Sequence, residues 1–255
     1  MPLLHSRRIP LATNLALCWL LFSSAGEAAI TRHNTSSSES SPATSLTISY
    51  AHTVHASSNA AVVLVCERDS DSSGFTSDAA VTVGGVSATL IARSGSPDDL
   101  MRALLFRLLS PSTGSTTVSV TGDTGSDRLT VAVVDYEGVQ GFGTATTAGN
   151  NSSSDVDVDG IASASGEVGV MGGCARSSAV TVSADATAPT STELIDTTHT
   201  DAVSIRMFLY EEAGATTSIN MRADLSVAER WAAVGVSMSP ATATLIRRRG
   251  VIWLP

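Results

Sequence analysis

Residues 80–92, AVTVGGVSATLIA, constrain the fold more than any other stretch of the chain, because alternation and turn chemistry agree there. Gly84 and Gly85 separate two runs of alternating apolar and polar residues, and a Gly-Gly pair tolerates the positive φ angles of a tight hairpin turn. The paired residues in this register are Val83 and Val86, Thr82 and Ser87, Val81 and Ala88, Ala80 and Thr89, and Ala79 and Leu90. The stretch predicts an antiparallel hairpin with one apolar face, and hence an all-β protein.

Short apolar segments separated by turn residues recur from residue 44 onwards, at the spacing of a β-sandwich. The sequence is rich in Ser, Thr, Ala, Val and Gly and has no Lys, a composition that disfavours long surface helices. The chain is therefore predicted to form an all-β, antiparallel two-sheet β-sandwich of jelly-roll-like type. The predicted strands are 46–51, 60–67, 80–83, 86–93, 101–109, 116–121, 128–136, 143–147, 156–161, 167–175, 193–197, 203–210, 216–223 and 231–238.

Two of the predicted strand regions also have apolar residues at helical spacing. Residues 98–109 begin with two acids after Pro97, and residues 226–236 begin with the Ser226 to Glu229 spacing of a capping box. The first region lies between a hairpin and a turn, which favours a strand that pairs with its neighbours in sequence. The second is predicted to begin as a turn and to continue as a strand.

The two ends of the chain differ in composition from the predicted sandwich domain, which spans residues 44–240. Two arginines near the start precede a short apolar run and then small residues, the order found in a secretory signal peptide, which we place at residues 1–28. An uncleaved N-terminal anchor is the alternative interpretation. Residues 29–43 are Ser-rich and aperiodic, which predicts a disordered linker, and residues 241–255 form a basic and apolar C-terminal tail.

Charge and cysteine content limit the partners and the compartment. The formal net charge is −9, and no basic stripe with interleaved aromatic residues is present, so nucleic acid is not an expected partner. Cys66 and Cys174 are the cysteines that follow the predicted signal peptide. In an oxidising compartment they could form a disulfide, but each lies in an apolar run where a buried thiol fits equally well, so both interpretations stay open.

Five segments carry a resemblance to a known class of proteins: VTVGGVSATLIA, SPSTGSTTVSVT, LTVAVVDYEGV, GFGTATTAGNNSSS and WAAVGVSMSP, in this order. Together they resemble secreted β-sandwich modules, jelly-roll or lectin-like, of bacterial and phage extracellular and surface proteins. The resemblance implies a fold and a location outside the cell, and it carries no catalytic residue. The chain departs from that pattern in having few aromatic residues in its inner strands, with Phe106 where a Trp- or Tyr-rich strand is expected.

Asp155, Asp157 and Asp159 precede Gly160 and form the sharpest chemical pattern in the sequence. Alternate carboxylates before a glycine match the first half of a calcium loop, so these three residues are the candidate metal ligands and calcium is the candidate cofactor. The twelfth position of such a loop is Gly166 instead of an acid. The alternation equally fits a strand that buries its valines and turns all three aspartates to solvent.

Other chemistry is weakly supported by the sequence. His33, His52, His55 and His199 lie outside the elbow, zinc-helix and paired-cysteine motifs, so exposed histidines are the simpler interpretation and no catalytic residue is assigned. A metal site formed by the last three would require the fold to bring them together. Trp231 begins an apolar strand and is predicted to lie in the core instead of forming a sugar platform.

These observations favour a non-enzymatic, secreted surface or binding module that contacts a glycan or a cell-surface protein, as in adhesion. Any selectivity is expected in the loop segments 69–78, 122–127 and 149–155. A structural decoration of a virion or a cell-surface appendage is the second hypothesis, and a secreted enzyme of the glycoside hydrolase type is the third. No transmembrane span is expected after signal cleavage.

Overall fold

Strands make up all the regular structure of the described residues, which in this computed structural model are 28–39, 46–69, 74–123, 126–177, 180–184, 191–198 and 204–242. The strands are β1 Thr31–Glu39, β2 Thr47–Val54, β3 Ala60–Arg68, β4 Ala80–Val83, β5 Val86–Ser87, β6 Thr89–Gly95, β7 Met101–Leu109, β8 Gly114–Thr121, β9 Arg128–Glu137, β10 Val139–Phe142, β11 Thr146–Ala162, β12 Val168–Ala175, β13 Val182–Ala184, β14 Thr192–Thr198, β15 Arg206–Ala213 and β16 Ser218–Pro240. The predicted all-β class is confirmed.

These strands form three antiparallel sheets instead of the predicted two. The five-stranded sheet has the order β1-β9-β3-β7-β6, and the four-stranded sheet has the order β2-β8-β4-β5. The seven-stranded sheet has the order β10-β16-β12-β15-β14, and both β11 and β13 also pair with β16. The prediction of a two-sheet sandwich is therefore wrong in the number of sheets, although the antiparallel pairing is correct.

The five-stranded sheet lies in the centre of the molecule, because both of its faces are covered. On β3, Ala60, Val62, Leu64 and Cys66 pack in one apolar cluster with residues of β12 and β16. The alternate residues Ala61, Val63 and Val65 pack in a second cluster with residues of β4 and β8. All seven side chains are fully buried, which explains why this segment has a continuous apolar run instead of alternation.

The seven-stranded sheet has a third apolar cluster on its far side. Val156, Val158 and Ile161 of β11 are fully buried there, whereas the other residues of this strand are half-buried or exposed. A Cβ atom on Gly235 of β16 would meet Ile161 and Val158, so the outer part of the β11–β16 ribbon folds back over its own sheet. Trp231 lies in this cluster and is 4% exposed, which confirms its predicted place in the core.

The hairpin at Gly84 and Gly85 is confirmed, with φ angles of 60° and 78° at the two glycines. Val83 pairs with Val86, and the Ala88 N–H donates to the Val81 carbonyl at 2.9 Å. Beyond Ala88 the predicted register ends, because β6 leaves the four-stranded sheet and pairs with β7 in the central sheet. The hairpin therefore links two sheets.

Both stretches with helical spacing are strands. Met101–Leu109 is β7, a central strand with neighbours on both sides, and the region 226–236 continues the single long strand β16. A strand that is buried on both faces places apolar residues at almost every position, and such a run satisfies helical spacing as well.

The segment 29–43 corrects the sequence-based expectation. Thr31–Glu39, placed in a disordered linker by its composition, forms β1 and pairs antiparallel with β9 at the edge of the central sheet. Polar side chains are common both in disordered linkers and in edge strands. The Ser-rich composition therefore did not distinguish a linker from the edge strand β1. The predicted signal peptide, except for Ala28, and the predicted tail, except for Ala241 and Thr242, lie outside the described residues.

A disulfide joins two of the three sheets. Cys66 of β3 and Cys174 of β12 are bonded to each other, and both are fully buried. The bond spans the apolar layer between the central sheet and the seven-stranded sheet. Of the two interpretations that the sequence left open, the disulfide is the correct one.

Replacement of Gly149 by alanine tests the contact between β11 and the end of β6. A Cβ atom at Gly149 would collide with the backbone carbonyl of Gly95, which cannot rotate away as a side chain can. We expect Gly149→Ala to lower the free energy of unfolding by about 1 to 3 kcal/mol. Gly141→Ala is the matched control, because the nearest atom to its Cβ is 3.5 Å away. Equal urea midpoints for the two variants would contradict this packing.

Candidate functional site

Loops from distant parts of the sequence meet at one end of the sandwich. The Thr76 N–H donates to Asp123 Oδ2 at 2.7 Å, and the Thr76 hydroxyl donates to Asp123 Oδ1 at 3.0 Å. At the β6–β7 turn, the Asp98 N–H donates to Asn151 Oδ1 at 3.3 Å. The structure thus joins two of the predicted selectivity loops, 69–78 and 122–127, through Thr76 and Asp123. The prediction of a loop at 149–155 is wrong, because this segment lies within strand β11, where Asn151 contacts the β6–β7 turn.

A pocket of about 210 Å³, here called the loop pocket, opens beside these loops. Its lining residues are Phe75, Arg93, Ser94, Gly95, Asp99 and Arg102. Asp99 has a positive φ of 56°, which places it in a tight turn after Pro97. The lining combines an aromatic ring, two guanidinium groups and a carboxylate.

A buried ionic network fixes the floor of the loop pocket. Arg102 Nε donates to Glu67 Oε2, and its Nη2 lies 3.6 Å from Asp123 Oδ2. The side chains of Arg102, Glu67 and Asp123 are 4%, 0% and 0% exposed. The Arg102 guanidinium also stacks over the Phe75 ring, 4.1 Å from its centre. Glu67 and Asp123 thereby hold Arg102, and Arg102 holds the ring at the pocket wall.

The loop pocket can recognise a small polar ligand by hydrogen bonding and stacking. Arg93 is 61% exposed at its side chain and donates to Asp78 Oδ1 at 2.7 Å, so its remaining N–H groups face the solvent. Asp99 is exposed and supplies carboxylate acceptors. Guanidinium donors, a carboxylate acceptor and an aromatic face are the groups that bind hydroxyl-rich ligands in a concave site.

A second cavity of about 260 Å³ lies between the edge of the central sheet and the seven-stranded sheet. Arg32 Nη1 donates to Glu211 Oε1 at 2.9 Å across it, and the Tyr136 hydroxyl donates to Glu211 Oε2 at 3.4 Å. Burial raises the pKa of Glu211, while Arg32 and Tyr136 act in the opposite direction. The polar groups of this cavity bind one another, so it holds β1 against β15.

Asp155, Asp157 and Asp159 occupy the solvent face of β11, while the valines between them are fully buried. Arg222 of the paired strand lies 3.3 Å from a carboxylate oxygen of Asp157 and 3.3 Å from one of Asp159. A cation of the protein itself therefore stands beside two of the three candidate ligands. Among the described residues, no group of three or more His, Cys, Asp and Glu residues is arranged to hold a metal ion. Calcium binding stays a prediction from the sequence.

Of the four candidate histidines, His33, His52 and His55 meet at the edge where β1 lies against β2, whereas His199 lies outside the described residues. The rings of His33 and His55 stack with their centres 3.8 Å apart. The Ser57 hydroxyl donates to Glu137 Oε2 at 2.6 Å and lies 2.8 Å from His55 Nδ1. Hydrogen bonds from Ser57 and His33 lower the pKa of Glu137.

His52 lies deeper than the other two histidines and contacts a buried carboxylate. Its Nε2 is 3.1 Å from Asp135 Oδ1, and the two side chains are 1% and 0% exposed. Asp135 also accepts hydrogen bonds from the Asn34 N–H at 3.1 Å, the His55 N–H at 3.0 Å and the Ser58 hydroxyl. One carboxylate of β9 thereby fastens β1, the end of β2 and the turn after it.

The pH dependence of stability should reveal His52. Burial lowers the pKa of His52 below its usual 6.5, and Asp135 opposes this in part. The unfolded chain therefore binds more protons at this residue than the folded protein does, so stability falls as the pH drops below about 6.5. Urea unfolding of the wild type at about pH 7.5 and about pH 5.5 measures the change.

Two variants separate the contribution of His52 from that of other groups. His52→Gln should show a smaller loss of stability between the two pH values than the wild type, whereas His33→Gln should keep the wild-type loss. Glu211, whose pKa burial raises, changes stability in the opposite direction as the pH falls, and it is present in all three proteins. An equal loss in wild type and His52→Gln would contradict the assignment.

Sequence patterns alone did not bring together the residues that line the loop pocket or those that surround His52. Asp135 and Ser36, whose Oγ lies 2.8 Å from His52 Nδ1, are on different strands from His52. The lining of the loop pocket comes from three separate segments of the chain. For the loop pocket, the available signal was the predicted selectivity segment 69–78, which contains Phe75 as a lone aromatic residue in a polar stretch.

None of the described residues form a helix that could cross a membrane. Comparison of this chain with protein families, with curated proteins and with solved structures returns no match.

Proposed function

We propose that this protein is a secreted surface or binding module that contacts a glycan through the loop pocket. The pocket is the observation that carries the proposal, because it presents Phe75 and Asp99 on loops beside Arg93 of strand β6, and a rigid scaffold positions all three. Binding is proposed here without turnover. The jelly-roll-like connectivity and the likeness to bacterial and phage surface modules belong to the same proposal.

The disulfide supports a location outside the cytoplasm. Disulfides form and persist in oxidising compartments, and thiols in the cytosol are kept reduced. A buried bond between Cys66 and Cys174 that ties two sheets together suits a protein that works in the extracellular medium. The predicted signal peptide at residues 1–28 would deliver the chain to such a compartment.

The size and chemistry of the loop pocket favour a single sugar residue as the group that enters it. A volume of about 210 Å³ is below the range of about 300 to 1,000 Å³ that drug-sized ligands occupy. A sugar ring can pack on the Phe75 ring while its hydroxyls bond to Arg93 and Asp99. The guanidinium of Arg102 occupies one face of the Phe75 ring, so the ligand would use the other.

A glycan array probed with the labelled full-length protein tests the proposal. We expect binding to a restricted set of glycans, with at least a tenfold loss of affinity in Phe75→Ala and in Asp99→Asn, which corresponds to about 1.4 kcal/mol. Phe142→Ala is the matched control, because Phe142 also lies under an arginine, with the Arg107 guanidinium 5.6 Å from its ring centre, but it does not line the pocket.

Three outcomes would overturn the proposal. These are the absence of binding to any glycan, binding that survives in Phe75→Ala and Asp99→Asn, and an equal loss in Phe142→Ala. Assembly of the protein into particles or filaments, measured by light scattering, would instead favour the structural decoration of a virion or appendage.

A further inference from the structure

The chain of contacts from Ser36 through His52 to Asp135 is separate from the loop pocket and is not explained by glycan binding. The three residues lie on β1, β2 and β9, which belong to two different sheets. Ser36 Oγ lies 2.8 Å from His52 Nδ1, and His52 Nε2 lies 3.1 Å from Asp135 Oδ1. A hydroxyl, an imidazole and a buried carboxylate therefore stand in line at hydrogen-bond distance.

The hydrogen bonds of Asp135 determine which nitrogen of His52 carries the proton. Asp135 accepts from the His52 ring, so the neutral imidazole holds its proton on Nε2 and leaves the lone pair on Nδ1 free to accept. The only direction left for the bond between Ser36 and His52 is donation by the serine hydroxyl. This is the arrangement in which a histidine acts as a general base for a serine nucleophile.

The ring is used in the opposite sense from the familiar serine hydrolase triad, where Nε2 contacts the serine and Nδ1–H contacts the carboxylate. Either imidazole nitrogen can accept a proton in the plane of the ring while the other carries one. Exchanging the roles of Nδ1 and Nε2 therefore leaves His52 able to act as a general base. Asp135 is also held by three further donors, which fix its orientation and hence that of the imidazole.

Tyr50 supplies an independent observation at the same place. It lies on β2, two residues from His52 and therefore on the same face of the strand. Its hydroxyl is buried and forms no hydrogen bond of ordinary geometry with the described residues. Burial raises the pKa of Tyr50 to about 12, and the neighbouring Ser36 hydroxyl acts in the opposite direction. The Tyr50 hydroxyl is thus a buried, neutral O–H donor beside Ser36.

We propose that Ser36, His52, Asp135 and Tyr50 form an acyl-transfer site that hydrolyses esters of small carboxylic acids. Ser36 is the nucleophile and is partly exposed at the edge where β1 faces β2. His52 is the general base, and Asp135 is a positioning residue that stabilises the imidazolium. Tyr50 donates to the oxygen that becomes negatively charged in the transition state.

The reaction proceeds in two balanced steps. Ser36 Oγ attacks the acyl carbon while its proton moves to His52 Nδ1, and the tetrahedral intermediate expels the alcohol, which takes that proton from His52. Water then attacks the acyl-serine ester with His52 again as the base. The second step releases the carboxylic acid and restores the Ser36 hydroxyl, so no redox partner or metal is needed.

Two measurements on the full-length protein test the site. The first is labelling with a fluorophosphonate probe followed by peptide mass spectrometry, and the second is release of nitrophenol from 4-nitrophenyl acetate. We expect a covalent adduct on Ser36 and a burst of nitrophenol. Ser36→Ala should abolish both, His52→Gln should slow acylation about 10²- to 10⁴-fold, and Tyr50→Phe should slow it about 10²-fold.

Ser38→Ala is the matched control, because Ser38 lies two residues further along the same face of β1 and should leave labelling and turnover unchanged. Thermal unfolding shows whether each variant folds. If His52→Gln does not fold, the mapped position of the adduct in the wild type still decides. Absence of an adduct on Ser36, or equal turnover in wild type and Ser36→Ala, overturns the proposal without affecting glycan binding at the loop pocket.

Discussion

The Cys66→Ala/Cys174→Ala variant is expected to lose about 3 to 5 kcal/mol of unfolding free energy relative to the oxidised wild type. The disulfide closes a loop with a sequence separation of 108 residues. In the chain-entropy model a loop of about 100 residues corresponds to about 4.7 kcal/mol. Equilibrium urea unfolding, followed by tryptophan fluorescence, measures the difference.

The wild type unfolded in the presence of a strong reductant is the control, since it lacks the bond but keeps both sulfur atoms. It should approach the stability of the double variant. If the oxidised and reduced wild-type proteins unfold at the same urea concentration, the bond between the two sheets does not stabilise the fold. The proposed extracellular location would then lose its main structural support.

Arg102→Met is expected to lower the free energy of unfolding by about 3 to 5 kcal/mol, because it leaves the buried carboxylate of Glu67 without its cation. The double variant Glu67→Gln/Arg102→Met removes one of the two buried carboxylates, Asp123 being the other, and should recover part of this loss. Arg102→Met also removes the group that stacks on Phe75, so the proposed glycan binding should fall as well. Urea unfolding and the glycan array provide the two readouts.

Arg107→Met is the matched control for this variant. Arg107 lies on the same strand, β7, but it is partly exposed and contacts no buried carboxylate among the described residues. Its replacement should change the free energy of unfolding by no more than about 1 kcal/mol. An equal loss in both variants would show that the position on β7, and not the buried ion pair, determines the effect.

Local patterns in the sequence were sufficient to place most strands. The Gly84 and Gly85 turn fixed the register of its hairpin, and the boundaries of β4 and β7 match the predicted ones. The predicted number of sheets was wrong. In a two-sheet sandwich each strand alternates between apolar residues facing the core and polar residues facing solvent, whereas β3 is apolar on both faces. Its uninterrupted apolar run indicated a sheet covered on both faces, a signal that also suits a helix or a single sandwich core.

The candidate sites were harder to predict, because they depend on contacts between distant segments. Ser36 lies in a stretch whose composition resembles a linker, and its contact with His52 arises only when β1 pairs with β9. The Asp155 pattern was visible because it is contiguous. A calcium loop and a solvent-exposed strand differ in which group lies beside the carboxylates. That neighbour is Arg222, which is far away in the sequence.

The central position of β3 has a consequence for how the chain must fold. Ala60–Cys66 contains seven apolar residues without a charge, a proline or a glycine, and both of its strand neighbours, β7 and β9, are synthesised later. Until they arrive, the segment has the composition that favours intermolecular β-aggregation. We therefore expect refolding from urea to become less efficient as protein concentration rises, and substitutions that delay β7 or β9 to reduce the yield of soluble protein before they reduce the stability of the native state.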